Sequence, residues 1–173
     1  GAVRSVEAGV CGGGNEVKVA RAALHFWEEP CISGINGSGT VFFSGCSLRC
    51  CFCQNYSISE GNFGKEVSVQ RLADIFLELQ EKGAHNINLV TPTHYVPWVI
   101  RALDIAKPKL CIPVVYNSGG YESVSTLKSI EGYVDIYLPD FKYMDSALAQ
   151  KYSSAPDYFE SASKAICEMF RQV

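Results

Sequence analysis

Charges of one sign never gather into a block along these 173 residues, and 15 lysines and arginines against 18 aspartates and glutamates leave a formal charge of −3. A nucleic-acid surface draws most of its affinity from a basic stripe, so the scattered basic residues argue against that partner. No apolar run approaches the roughly 20 residues needed to cross a bilayer, and Gly1-Ala2-Val3-Arg4 opens without the pattern of a signal peptide. The expectation is a soluble, cytoplasmic protein with neither a nucleic-acid nor a membrane partner. A disulfide framework is missing too. Of the eight cysteines, four fall within residues 46–53, while Cys11, Cys31, Cys111 and Cys167 follow no regular spacing. A reducing compartment and a metal cluster fit that distribution better.

What is present is an ordinary globular composition, 47% hydrophobic and 19% charged, enough to build one real core. The chemistry is concentrated in Gly45-Cys46-Ser47-Leu48-Arg49-Cys50-Cys51-Phe52-Cys53-Gln54-Asn55, directly after the strand-like run Gly39 to Ser44. Cys46, Cys50 and Cys53 form a C-x3-C-x2-C spacing. Thiolates this close on one loop suit a soft metal centre, and iron–sulfur clusters are the common use of such runs. A [4Fe–4S] cluster takes four thiolates, so three leave one iron open to a further ligand. A zinc knuckle or unliganded core cysteines are the alternatives. Cys51 lies off the ligand spacing and reads as a packed thiol.

From residue 40 onward strand and helix signals alternate, which predicts a parallel sheet with crossover helices. Thr40 to Ser44 is the first strand. Ser68 reads as an N-cap ahead of Leu72, Ile75, Phe76 and Leu79 at helical spacing, with Gly83 as the stop. Asn86 to Val90 is a second strand and Val96 to Ala106 a helix that tolerates Pro97 in its first turn. Cys111 to Tyr116 is a third strand, Val124 to Ile130 a helix, and Val134 to Pro139 a fourth strand. The last helical region, 147–152 and then 157–171, is expected to turn Phe159, Ala162, Ile166, Met169 and Phe170 inward. Residues 1–38 read as an irregular N-terminal wrapping extension, with a turn at Cys11 to Asn15 and a short alternating strand at Val17 to Arg21; residues 39–173 are the core. His25 reads as a satisfied histidine and Glu28-Glu29-Pro30 as a helix break.

The C-x3-C-x-Phe-C run followed by Gln54-Asn55 resembles the signature of radical S-adenosylmethionine (SAM) enzymes, most nearly the branch similar to pyruvate formate-lyase activating enzyme. The resemblance covers residues from about Gly34 onward. It implies an α/β fold, a partial (β/α) barrel with about four parallel strands. It implies a [4Fe–4S] cluster on Cys46, Cys50 and Cys53 and SAM chelated to the open iron. One electron would cleave the sulfonium, and the resulting 5'-deoxyadenosyl radical would abstract hydrogen from the substrate. Activation of a glycyl-radical enzyme, with a flavodoxin- or ferredoxin-like reductant, is the implied function. A radical enzyme acting on a small molecule and a non-catalytic metal-binding domain are the alternatives.

Sites in such barrels gather at the carboxyl ends of the strands. That rim selects Thr91, Thr93, Asn117, Asp140 and Lys142 as SAM contacts. The resembled family usually carries Gly-Gly-Glu-Pro after its second strand, where this sequence has Thr91-Pro92-Thr93-His94; the carboxylate is missing, and the hydroxyls and carbonyls of the two threonines are left to accept from the SAM ammonium. Asn117 offers an amide to the ribose or carboxylate, or is a turn residue. Leu138-Pro139-Asp140-Phe141-Lys142 is similar to the Leu-Asp-Leu-Lys stretch of the activating enzymes, which places Lys142 against the SAM carboxylate and Asp140 against the ribose; a surface ion pair is the other reading. Four strand–helix units, where the resembled core has six, lead to the expectation of a fragment of a longer protein or of a chain completed by another; the open sheet edge is then capped by residues 157–171 or closed in a homodimer.

Overall fold

The computed structural model describes residues 17–61 and 63–173. Six strands, Val17–His25 (β1), Ser38–Phe43 (β2), Lys65–Val67 (β3), Ile87–Val90 (β4), Val114–Ser118 (β5) and Ile136–Pro139 (β6), join in one sheet of order β3-β1-β2-β4-β5-β6. β2, β4, β5 and β6 run parallel, the four expected. β1 pairs antiparallel with β2 on one side and β3 on the other. The architecture is therefore α/β with a mostly parallel sheet, a partial β/α fold. The helices are Pro30–Ser33 (α1), Tyr56–Ser59 (α2), Val69–Glu81 (α3), Val96–Ala106 (α4), Val124–Ser129 (α5), Ser146–Ser153 (α6) and Tyr158–Gln172 (α7).

The longer helices form where caps and apolar spacing agree. The Ser68 hydroxyl accepts the Arg71 amide at 3.1 Å, starting α3, whose Leu72, Ala73, Ile75, Phe76 and Leu79 are buried. α4 begins with Pro97 in its first turn, where a missing N–H costs nothing, and buries Val96, Val99, Ala102, Leu103 and Ala106. These faces pack on Val41, Phe43, Ile87 and Leu89 of the parallel strands to make the main core. Asp145 caps α6 through the Leu148 amide at 2.8 Å. A second, smaller cluster of Leu48, Ala149, Ala155, Tyr158 and Ala162 fastens the cysteine loop to α6 and α7.

Three expectations are corrected. The strand expected over Cys111 to Tyr116 is displaced to Val114–Ser118. Pro113 has no N–H to give the ladder and contributes only its carbonyl, which accepts the Ile87 amide at 2.9 Å; Asn117 and Ser118, assigned to the following loop, instead pair with Leu138 and Pro139. On α7 the inward residues are Tyr158, Ala162, Ala165 and Met169, while Phe170 is 82% exposed and Phe159 lies at the surface. The 3.6-residue stripe passes between those two aromatics. Cys51 is exposed, not packed. The short strand read at Val17 to Arg21 continues to His25 as β1. The turn at Cys11 to Asn15 lies outside the described residues.

Candidate active site

The cysteine loop leaves the carboxyl end of β2, and three neighbouring strand ends face it across a pocket of about 450 Å³. Cys46, Cys50 and Cys53 line this pocket together with Thr91 after β4, Asn117 on β5, and Asp140 and Lys142 after β6. Parallel strands wound in one hand deliver all their carboxyl ends to one rim, and residues far apart in sequence meet there. Backbone bonds hold the loop in place: Arg49 donates to the Ser153 carbonyl at 3.1 Å and Cys51 to the Tyr152 carbonyl at 2.9 Å, both at the end of α6.

Each of the three thiols receives a hydrogen bond at sulfur. The Leu48 amide reaches Cys46 at 3.4 Å, the Ser153 hydroxyl reaches Cys50 at 2.9 Å, and the Ser59 hydroxyl reaches Cys53 at 3.4 Å. Burial pushes the Cys46 thiol up to about 11, against the Leu48 amide, which favours the thiolate. Burial raises Cys50 as well, opposed by the Ser153 hydroxyl and by the charge of Lys142. Thiols so placed give up their protons when they bind metal, and the donors then stabilise the bound sulfurs. Among the described residues no three His, Cys, Asp or Glu side chains converge on a single ion. A cluster spreads its cysteines over separate irons. Three thiols around one pocket, each with its own donor, are a donor set that fits a [4Fe–4S] cluster with one iron left to a further ligand.

Across the pocket, Lys142 donates to Asp140 at 2.5 Å. Burial works against the charged ammonium, but the hydrogen bond and charge of Asp140 outweigh it and hold the lysine above its usual pKa. Tyr158, fully buried on α7, fixes the strand: its hydroxyl accepts the Lys142 amide at 2.9 Å and faces the carbonyls of Gly119 and Asp140 at 2.8 and 3.0 Å. Gly120 has φ +74, and a Cβ there would run into the Asp140 carbonyl, so only glycine lets these two loops close on each other.

The loop after β4 divides the two threonines. Thr91 lines the pocket with φ +54, an unusual conformation for a β-branched residue, and its amide donates to the Asn117 carbonyl at 2.8 Å. Thr93 is not part of the pocket lining; its hydroxyl donates to Glu122 at 2.6 Å in the layer behind. Glu122 is buried, faces Tyr116 at 3.2 Å, and is pushed up to about 7 by burial, against the hydrogen bonds from Thr93, Ser118 and Tyr116. His94 is buried with Nε2 2.7 Å from the Ser44 carbonyl, tying this loop to the end of β2.

Sequence reasoning missed the turn after β1. His25, Trp27 and Glu28 all line the pocket, and His25 meets Phe42 edge-on with ring centroids 5.9 Å apart. Glu28 is half-buried, and one carboxylate oxygen receives Asn88 Nδ2 and Asn117 Nδ2, each at 3.1 Å. The Asn117 amide therefore points to an acid and not to open space. Burial, then the neighbouring Glu29 carboxyl, raises the Glu28 pKa. The adjacent acids and Pro30 marked only a helix break in the sequence; that the turn after β1, which lies at the amino end of β2, sends Glu28 across the sheet to Asn88 and Asn117 is a long-range result.

The model of the radical SAM superfamily matches residues 40–172. The chain belongs to the radical SAM superfamily. Members of this superfamily use a [4Fe–4S] cluster and SAM. The chain is also 32% identical over 146 residues to the uncharacterized protein MJ0674 of Methanocaldococcus jannaschii; the match covers 79% of this chain and 41% of that protein. This radical SAM chain thus spans well under half the length of that relative. No described helix is long and apolar enough to cross a membrane.

Proposed function

We propose that this chain binds [4Fe–4S] through Cys46, Cys50 and Cys53 and presents SAM to the open iron in the adjoining pocket, for hydrogen abstraction from a substrate. The observation that carries the reading is the convergence of the three thiols with Thr91, Asn117, Asp140 and Lys142 around one cavity. Cluster and SAM, when bound, would supply radical chemistry for hydrogen abstraction, with methionine and 5'-deoxyadenosine as the products of SAM and an electron from an external donor of the flavodoxin or ferredoxin class. The chain's residues hold and orient. Lys142, anchored by Asp140 and by Tyr158 through its backbone, offers a cation to the SAM carboxylate. Thr91 offers its hydroxyl and carbonyl at the strand end. Leu48, Phe42 and Val90 give the pocket an apolar wall that keeps water from the reacting end.

For the substrate, we favour a glycyl-radical protein. The motif with Phe52 ahead of Cys53 and Asn55 soon after supports it, as do Trp27 and Phe52, exposed aromatics in the pocket lining that suit a chain docking from outside. The direct experiment is anaerobic reconstitution with iron and sulfide, reduction, and detection of 5'-deoxyadenosine with SAM present. Product is expected from the intact chain. A cluster that assembles without any SAM cleavage would return the protein to a non-catalytic metal-binding role.

A further inference from the structure

We propose that Glu28 is the carboxylate that holds the α-ammonium group of SAM. The inference rests on the reading of the pocket as a SAM site and adds a residue from outside the matched family segment. Among the described residues, the carboxylates lining the pocket are Glu28 and Asp140, and Asp140 is engaged by Lys142. Among the described residues no ion pair reaches Glu28. Its two side-chain donors, Asn88 and Asn117, are neutral amides on adjacent strands β4 and β5. Two neutral donors on one oxygen orient a carboxylate without cancelling its charge, and the adjacent Glu29 carboxyl adds further negative charge that a bound ammonium would offset.

The backbone is fixed as firmly. Glu28 N–H donates to the buried Ser33 hydroxyl at 3.1 Å, and the turn is closed by Pro30 at the start of α1. SAM carries two cationic groups, the α-ammonium and the sulfonium, beside one carboxylate. An ammonium brings N–H donors that can bond a carboxylate oxygen, whereas a sulfonium has no donor; the carboxylate of the same amino-acid moiety suits Lys142, across the pocket. The loop after β4 has no acid to offer, since Thr91-Pro92-Thr93-His94 contains none and Thr93 is turned to Glu122. Glu28 therefore fills an electrostatic place that the β4 loop leaves open.

The test is calorimetric binding to the reconstituted, unreduced chain, with cluster content checked by iron and sulfide analysis. SAM and S-adenosylhomocysteine are compared, because the second keeps the ammonium and lacks the sulfonium. Glu28→Gln is expected to weaken both ligands by about tenfold, with cluster content unchanged, while Glu28→Asp, which keeps the charge, retains most of the affinity. Unchanged affinity for both ligands would overturn the assignment, and so would loss confined to SAM, which would point to the sulfonium. Failure of the unmodified chain to bind SAM at all would overturn the pocket reading along with it. If Glu28→Gln lowers cluster content, the Glu28→Asp variant decides: a full loss of affinity there, with the cluster intact, counts against a charge-based role.

Discussion

Cys46, Cys50 and Cys53, the proposed ligands, lie on one loop, while two of their three donors, Ser153 and Ser59, come from α6 and α2, so ligand and donor can be separated by mutation. Replacing any one of the three with Ala is expected to abolish assembly of the cluster, seen as loss of the iron–sulfur charge-transfer absorbance, because each cysteine serves its own iron. Cys51→Ala should leave most of it, since Cys51 is exposed and outside the pocket lining. Equal loss at Cys51 would defeat the ligand assignment. Ser153→Ala is subtler: it removes the 2.9 Å donor to Cys50 and leaves the thiol in place. A donor at sulfur favours the reduced cluster, so the variant should assemble a cluster with a lower midpoint potential. Lys142→Ala acts on SAM instead. Affinity should drop by about tenfold with the cluster intact, and no change in calorimetry would reduce the Lys142–Asp140 contact to an ordinary ion pair.

The connections between elements carry a second kind of constraint, in which Glu122 is central. This buried acid ties the loop after β4, through Thr93, to Tyr116 on β5. Its pKa of about 7 stands above the ordinary 4.5. The folded state therefore holds the proton more tightly than the unfolded state between these values. Its contribution to stability is fully present below about pH 4.5 and is lost as pH rises through about 7. Urea unfolding of the reduced chain at pH 5 and pH 8 should show a loss on the order of a few kcal/mol that Glu122→Gln flattens. An unchanged difference between the two pH values would mean that Glu122 is solvated in the folded chain. Such a residue illustrates what local pattern reveals and what it does not. α3 and α4 were legible because capping and apolar period are local signals, as was the cysteine loop, because its ligands lie within eight residues. β5 was misplaced at both ends: Pro113 excludes the start, and the polar Asn117 and Ser118 read as loop although β6 pairs with them. Glu28 and Glu122 were invisible for a related reason, since an acid is recognisable as a site residue only when its partners, here sixty and twenty-nine residues away, are known.

On the scale of the whole molecule the unsettled boundary is β6. It pairs with β5 on one side, and all four of its residues are only half-buried, as expected of an edge. A parallel strand of Ile, Tyr and Leu left at an edge offers unpaired backbone groups to another strand, and the proline at its end removes only one donor. Of the α7 face expected from the sequence, Met169 is 2% exposed and packed in the core, while Phe159 stays at the surface. Phe159 pairs there with Phe141, just past β6: their rings lie 5.7 Å apart and both are exposed. We expect this edge and its aromatic pair to meet a second copy, giving a homodimer at micromolar concentration by light scattering. Phe159→Glu should then shift the species to monomer, since burying a carboxylate in an apolar contact is costly, while leaving the thermal transition of the monomer little changed because the side chain is at the surface. Hydrogen exchange gives the independent reading: amides of β6 should be slower in the concentrated wild type than in the variant. A wild type that stays monomeric, with β6 amides equally protected in both proteins, would show that the short sheet closes its own edge.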